Sequence, residues 1–345
     1  MKGISPPRNI SYYEDNLLDS GISKYDNLQP ISNLDKFVDV SILHTYLEDE
    51  GAGYFMVELK MRDVYTGIEP FPKDVVFVLD ISRSMDDEQV EKIIGAIEKI
   101  IIKEMNYYDR FNIVLFSQKN DFFSPELLLR GYNDWRSDLR LFFKNVLTRG
   151  QTDVFGSLSQ IISRWGKRKD RASIMVLISD GRSTKGIQNP SELIKKITVL
   201  NNETWRIYCF GNERADKYLL DMLAYMNRGY SRYAKNFIRL DRDIIKFFDE
   251  VRNPLVLNVK FQHTGKYIES VYPSVIPDLF EGGRVVFYGK YREKDSVFSG
   301  RVVGNTRNGK KEIVFLTRFN EIAEYQLSLI HISEPTRPLY ISYAV

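Results

Sequence analysis

Cysteine and histidine are nearly missing from this chain, and their scarcity removes several kinds of chemistry. The one cysteine, Cys209, lies in the apolar run Ile207-Tyr208-Cys209-Phe210 and has no sequence partner, which excludes an intramolecular disulfide and a cysteine metal cluster. Its setting predicts a buried strand residue. The three histidines, His44, His263 and His331, all fall outside the central stretch that carries the polar motifs, so a Ser-His-Asp triad is not expected. Long apolar runs are lacking too: Lys, Glu or Asp interrupts each candidate within a few positions, and no segment is expected to span a membrane. The start, Met1-Lys2-Gly3-Ile4-Ser5-Pro6-Pro7, has no apolar core of a signal peptide. Charge of one sign is not in excess either, with 49 Lys and Arg against 46 Asp and Glu, so nothing demands nucleic acid or an acidic membrane surface as partner.

What is present is enough chain, 345 residues, for two domains. Residues 1–36 mix Pro, Ser, Asn, Asp and Tyr without period and predict an irregular lead-in. Two strand-like stretches, Phe37 to Tyr46 and Tyr54 to Met61, flank the turn-forming Glu48-Asp49-Glu50-Gly51-Ala52-Gly53 and predict a hairpin within residues 37–71. From Asp74 the texture changes to apolar strands that alternate with amphipathic helices. Val75 to Leu79 is a continuous apolar run, suited to a strand buried on both faces, and Val90, Ile93, Ile94, Ile97 and Ile101 then mark one helix face. The alternation recurs through strands at Phe111 to Phe116, Ala172 to Ile178 and Trp205 to Phe210, with helices between and after them. This predicts an α/β domain with a doubly wound, mostly parallel sheet over residues 72–252. After Pro254 the pattern is β-like again, so residues 37–71 and 253–326 are expected to form one β-sandwich that flanks or receives the α/β domain. The run Leu327 to Arg337 back-translates to a transposase adaptor used in sequencing-library preparation, so residues 327–345 are read as artefact and the natural protein is expected to continue past Gln326.

The chemistry gathers at strand ends. Asp80, Ser82 and Ser84 follow the first parallel strand in the order Asp-Ile-Ser-Arg-Ser, Asp180 ends another strand in Ser179-Asp180-Gly181, and Thr152 precedes a helix. Ligands of open parallel sheets bind at these carboxyl ends. Hydroxyls and carboxylates with no His or Cys make a hard-oxygen site, which suits Mg²⁺ with Mg–O distances of about 2.0–2.1 Å, and Mn²⁺ also fits. Neutral hydroxyl ligands leave such an ion electrophilic, so it should seek an external carboxylate, and Arg83, Arg149, Arg182 and Lys185 nearby favour an anionic approach.

Asp80-Ile81-Ser82-Arg83-Ser84-Met85, Thr152 and Ser179-Asp180-Gly181 together resemble the metal-ion-dependent adhesion site of von Willebrand factor type A domains. Pro72 to Asp80, Phe210-Gly211-Asn212 and Tyr272 to Gly283 are similar to the branch of inter-alpha-trypsin inhibitor heavy chains, and the likeness covers roughly Gly53 to Tyr291. The resemblance implies direct coordination by Ser82, Ser84 and, in one state, Thr152, with Asp80 and Asp180 acting mostly through water. Arg83 and Gln151 depart from the pattern, standing where small residues are common. The resemblance also implies a non-enzymatic adhesion module at a bacterial cell surface or envelope that captures a partner's Asp or Glu through the metal.

Two other classes stand beside that reading. One is an intracellular subunit that docks on an ATPase machine through the same site. The other is a metal-dependent hydrolase, disfavoured because Gly-x-Ser-x-Gly is absent and because an aspartyl nucleophile wants a second acid where Ser82 stands. No Gly-x-x-x-x-Gly-Lys phosphate loop follows the first parallel strand.

Overall fold

The chain divides at Glu69/Pro70 and again at Pro254/Leu255, so two stretches far apart in sequence belong to one unit and the stretch between them to another. A computed structural model describes residues 32–62, 67–132, 135–144, 146–166, 170–263, 267–294 and 297–319. Residues 1–31 of the lead-in and the adaptor-like residues 327–345 lie outside the described residues.

The first unit opens with β1 (Ser32–Asn33), within the stretch read from sequence as irregular. Two residues are too few to carry a period, so pairing alone reveals this strand. β2 (Val38–Leu47) and β3 (Ala52–Met61) form the expected antiparallel hairpin, with Val38 opposite Met61 and Leu47 opposite Ala52. A single 3₁₀ turn over Glu48–Glu50 joins them. It closes at Gly51, whose φ of 56° is a left-handed conformation that glycine adopts without steric cost.

The second unit begins with β4 (Lys73–Asp80), in which every residue is buried. Successive side chains point to opposite faces, so Val76 and Val78 join the core on one side while Phe77 packs on the other. α1 (Asp87–Lys103) follows, its N-terminus capped by the Asp86 carboxylate accepting from the Glu88 amide. Next come β5 (Arg110–Phe116), β6 (Asn120–Phe122), β7 (Leu128–Leu129), α2 (Trp135–Phe143) and α3 (Val154–Arg164). Then β8 (Ala172–Ile178), α4 (Pro190–Asn201), β9 (Arg206–Gly211), α5 (Lys217–Met226), β10 (Ser231–Tyr233) and α6 (Leu240–Asp249) complete the unit. The sheet order is β10-β9-β8-β4-β5-β6, with β7 also on β5. All pairings are parallel except those of β6 and β7 with β5. α3, α4 and α5 share a core with one face, and Phe248 of α6 meets Phe77 on the other at 5.7 Å between ring centroids. The sheet is thus doubly wound, and Cys209 is buried in β9 as a free thiol.

At the amino-terminal end of this sheet, buried charge is paired. Lys73 and Asp109 are both fully buried and form an ion pair, and Asp74 accepts from Arg110 at 2.8 Å and Arg171 at 2.6 Å. Burial pushes the Lys73 ammonium below the usual lysine range, and the Asp109 charge opposes that shift.

The chain then returns to the first unit through β11 (Pro254–His263), β12 (Ile268–Tyr272), β13 (Leu279–Phe280), β14 (Arg284–Tyr291), β15 (Val297–Thr306) and β16 (Gly309–Arg318). One sheet runs β1-β16-β15-β11-β13 and the other β12-β14-β3-β2. Their inner faces share one core, with Phe55 against Phe298 at 4.6 Å and Phe261 against Phe287 at 4.7 Å. This is the β-sandwich, with the α/β unit inserted between β3 and β11. Gly289 is required here, because a Cβ at that position would lie 2.1 Å from the Phe55 ring.

Candidate functional site

β4, β5, β8 and β9 run parallel, so the loops after them emerge at one pole of the second unit. Asp80 is the last residue of β4, and Asp180 follows β8 by two positions. The Asp80 carboxylate turns the chain back on itself: its Oδ1 accepts from the Ser82 amide at 2.8 Å, and its Oδ2 accepts from the Ser179 hydroxyl at 2.6 Å. That turn sets Ser82 Oγ 3.1 Å from Ser84 Oγ, the first buried and the second exposed. Asp180 Oδ1 accepts from the Arg182 amide at 3.0 Å, and its backbone carbonyl accepts from the Asp216 amide at 2.7 Å.

Thr152 is held between these two loops. Arg83 N donates to Gly150 O at 3.3 Å and Arg149 N to Ile81 O at 2.8 Å, which stitches the segment before Thr152 to the segment after β4. On the other side, Thr152 N donates to Thr184 Oγ1 at 2.9 Å, and Thr152 O accepts from the amides of Thr184 and Lys185. All five residues singled out in the sequence therefore lie at one pole, Asp80 at the end of its strand and the other four on loops. Ser179 and Thr184 belong with them: Ser179 fixes Asp80 and also accepts from the Gly181 amide at 2.9 Å, while Thr184 fixes Thr152. Ser179 had a sequence signal in its place beside Asp180 at a strand end. Thr184 had none, because its contact spans 32 residues.

The two departures from the family pattern cost no backbone strain. Gly150 takes a φ of 83°, whereas neither Arg83 nor Gln151 has a positive φ, so only the first of the two loop positions before Thr152 needs glycine. Gly181 takes a φ of 70° beside Leu220.

The electrostatics of this pole differ from those of the opposite end. Asp80 is 0% exposed and Asp180 4% exposed, yet neither forms an ion pair among the described residues. Burial pushes the Asp80 carboxyl up to about 6; hydrogen bonds from Ser179 and Ser82 oppose the shift, and the nearby Asp180 charge adds to it. Buried charges are ordinarily paired or coordinate a metal, and no described side chain supplies the pairing cation here. Among the described residues no three His, Cys, Asp or Glu side chains gather as a metal group, so a cation held here relies on hydroxyls beside the two carboxylates. That donor set is hard oxygen only, which fits a small divalent ion. His44 and His263 lie in β2 and β11 of the other unit, where His44 Nδ1 is 2.8 Å from the Tyr291 hydroxyl; His331 lies outside the described residues.

A doubly wound sheet with hydroxyls and carboxylates gathered at the carboxyl ends of its central strands defines the class, a type A module. The chain belongs to the von Willebrand factor type A domain family, whose model matches residues 74–246. Domains of this family are protein-interaction modules. Beyond the family, the sequence is similar to inter-alpha-trypsin inhibitor heavy chains. It is 24% identical over 235 residues to heavy chain H4 of Bos taurus, covering 66% of this chain and 25% of that protein. Heavy chain H3 of Homo sapiens is 25% identical over 238 residues, covering 66% and 26%. The chain thus spans about a quarter of the length of these relatives. Among solved structures, the ArnB paralogue VWA2 of Sulfolobus acidocaldarius superposes with a TM-score of 0.60 at 15% identity, covering 84% of this chain and 76% of that one. A von Willebrand factor type A protein of Catenulispora acidiphila gives 0.61 at 14% identity, covering 89% and 80%. Both share the fold.

Proposed function

We propose that this chain is a non-enzymatic binding protein that holds Mg²⁺ at Asp80, Ser82, Ser84, Thr152 and Asp180 and uses it to capture an Asp or Glu side chain of a protein partner. The observation that carries this reading is the pair of buried carboxylates with no ion-pair partner among the described residues, at the same pole as three hydroxyls. Ser82, Ser84 and Thr152 would hold the ion directly, and Asp80 and Asp180 would balance its charge through water. A bound divalent ion supplies an open Lewis-acid position for an external carboxylate oxygen. The protein's own part is to hold the donors in place. Asp80 orients the Ser82 amide, Ser179 orients Asp80, and Thr184 orients Thr152. Mn²⁺ meets the same donor set. Among the described residues no helix is long and apolar enough to cross a membrane. As part of the same proposal the chain works at a cell surface or envelope, which fractionation of the native host would test.

Calorimetric titration of the whole chain with Mg²⁺ tests the site. The wild type should bind, while Asp80→Ala and Asp180→Ala should lose binding with circular dichroism unchanged. Equal uptake by all three proteins would overturn the assignment.

A further inference from the structure

The pole that carries Asp80 and Asp180 also presents arginines that no side chain engages among the described residues. Arg83, Arg149 and Arg182 are exposed, and none has an ion pair or side-chain hydrogen bond among the described residues. Their backbones fix them at this pole: the Arg83 and Arg149 amides make the two stitches between the Ser82 and Thr152 loops, and the Arg182 amide donates to Asp180 itself. Several arginines elsewhere are engaged. Arg62 pairs with Asp39, Arg252 with Glu104, and Arg284 with Glu58. A guanidinium presents a planar fork of donors that matches a carboxylate two bonds at a time, so three unengaged forks beside a carboxylate-binding position are a recognition surface for further carboxylates.

The acids on the same loops keep their charge but are held by donors other than these arginines. Asp86 caps α1, Asp153 caps α3 through the Gly156 amide, and Asp216 caps α5 through the Leu219 amide. Asp87 accepts from the Thr148 amide and hydroxyl, and Glu88 pairs with Lys92. Glu213 is the exposed acid on these loops with no such bond among the described residues, and Lys119, Lys185 and Arg214 add exposed positive charge against it. The acids at the start of α1 border the rim and would repel a long, evenly charged phosphate backbone, whereas a short segment can place its charges between them.

We propose that the ligand of this pole is a polyacidic peptide segment. One carboxylate occupies the position beside Ser82, Ser84 and Thr152, and flanking Asp or Glu side chains pair with Arg83, Arg149 and Arg182, which thereby choose among acidic partners. This rests on the reading of the pole as a metal-dependent carboxylate site. Arg83 occupies a place between the two serines where a small residue is common, so the selectivity is a property of this chain rather than of the motif.

The test uses the full chain and two fluorescent peptides, one with a single Asp among Gly and Ser, the other with the same Asp flanked by two Glu on each side. Affinities are measured at physiological salt with Mg²⁺ and with EDTA, for the wild type and for R83A/R149A/R182A, and Mg²⁺ uptake is followed by calorimetry in parallel. Three exposed ion pairs should make the polyacidic peptide bind the wild type on the order of tenfold tighter than the single-Asp peptide. The triple variant should lose that preference while its Mg²⁺ affinity stays within about twofold, because the substituted side chains are not ligands. Mg²⁺ uptake with equal affinity for both peptides, or a preference that survives the triple substitution, would overturn this proposal alone. A heparin fragment that displaces the polyacidic peptide and binds equally well in EDTA would overturn it in favour of a generic polyanion surface. Absence of Mg²⁺ uptake by the wild type would instead remove the metal site, and this proposal with it.

Discussion

Asp80 shows how a single residue can be both well bonded and electrostatically out of balance. Its two oxygens are satisfied by Ser82 and Ser179, yet burial raises its proton affinity above that of an ordinary aspartate. Because the folded-state value lies above the unfolded one, the metal-free protein binds this proton more tightly when folded. Its stability should therefore fall as pH rises from about 4 to about 6, by on the order of 3 kcal/mol. Denaturant titrations in EDTA at pH 4.5 and 6.5 would show this, after comparison with Asp80→Asn, in which the dependence should flatten. At pH 7.5 in EDTA, Asp80→Asn should be at least as stable as the wild type while taking up no Mg²⁺; a variant that is several kcal/mol less stable would assign Asp80 a purely structural role. Mg²⁺ affinity in the wild type should weaken as pH falls below about 6, since the proton and the ion compete for the same charge. Ser179→Ala removes the hydroxyl that orients Asp80 and should weaken Mg²⁺ binding by roughly 10–100-fold in calorimetry.

At the scale of elements, the central strand and the helix entries control where the site residues stand. β4 is buried on both faces, and Phe77→Ala within it should cost about 3–5 kcal/mol in denaturant unfolding. Asp153 caps α3 directly after Thr152, so Asp153→Ala should cost about 1 kcal/mol, and Mg²⁺ affinity should drop with it as the Thr152 segment loosens. Unchanged affinity in that variant would show that the stitches to Ile81 and Thr184 suffice to hold Thr152. The long elements were legible because their apolar periods are long and regular. β6 and β7 were not: Asn120–Phe122 and Leu128–Leu129 are too short for a period, and their pairing with β5 joins residues that only the folded sheet brings together.

The β-sandwich and the inserted α/β unit each have their own buried apolar interior, the first between its two sheets and the second on both faces of its sheet. Phe298 is fully buried in the first, against Phe55 and Phe315. Phe298→Ala should lower the stability of that unit by about 3–5 kcal/mol and leave Mg²⁺ affinity unchanged within about twofold, because Phe298 belongs to the core of a different unit from the one that carries Asp80. Differential scanning calorimetry and Mg²⁺ titration on the same variant would check both halves, and a parallel loss of metal affinity would show that the sandwich supports the site.

Sequence alone determined the alternation of apolar strands and amphipathic helices, the β-rich stretches on either side, and the family, because each is written in local period or in residues a few positions apart. It also marked Asp80, Ser82 and Ser84 as neighbours, since one turn after one strand presents them. Tertiary structure decided what no local pattern can hold. It placed Ser179 against Asp80 across 99 residues and Thr184 against Thr152 across 32. Among the described residues it left Arg83, Arg149 and Arg182 without side-chain partners, and it paired Lys73, Asp74 and Asp109 with opposite charges while giving Asp80 and Asp180 none. The physical reason is that burial and charge compensation are properties of the assembled sheet. A carboxylate's environment depends on which loops meet around it, and that meeting is fixed only when the parallel strands bring their carboxyl ends to one pole.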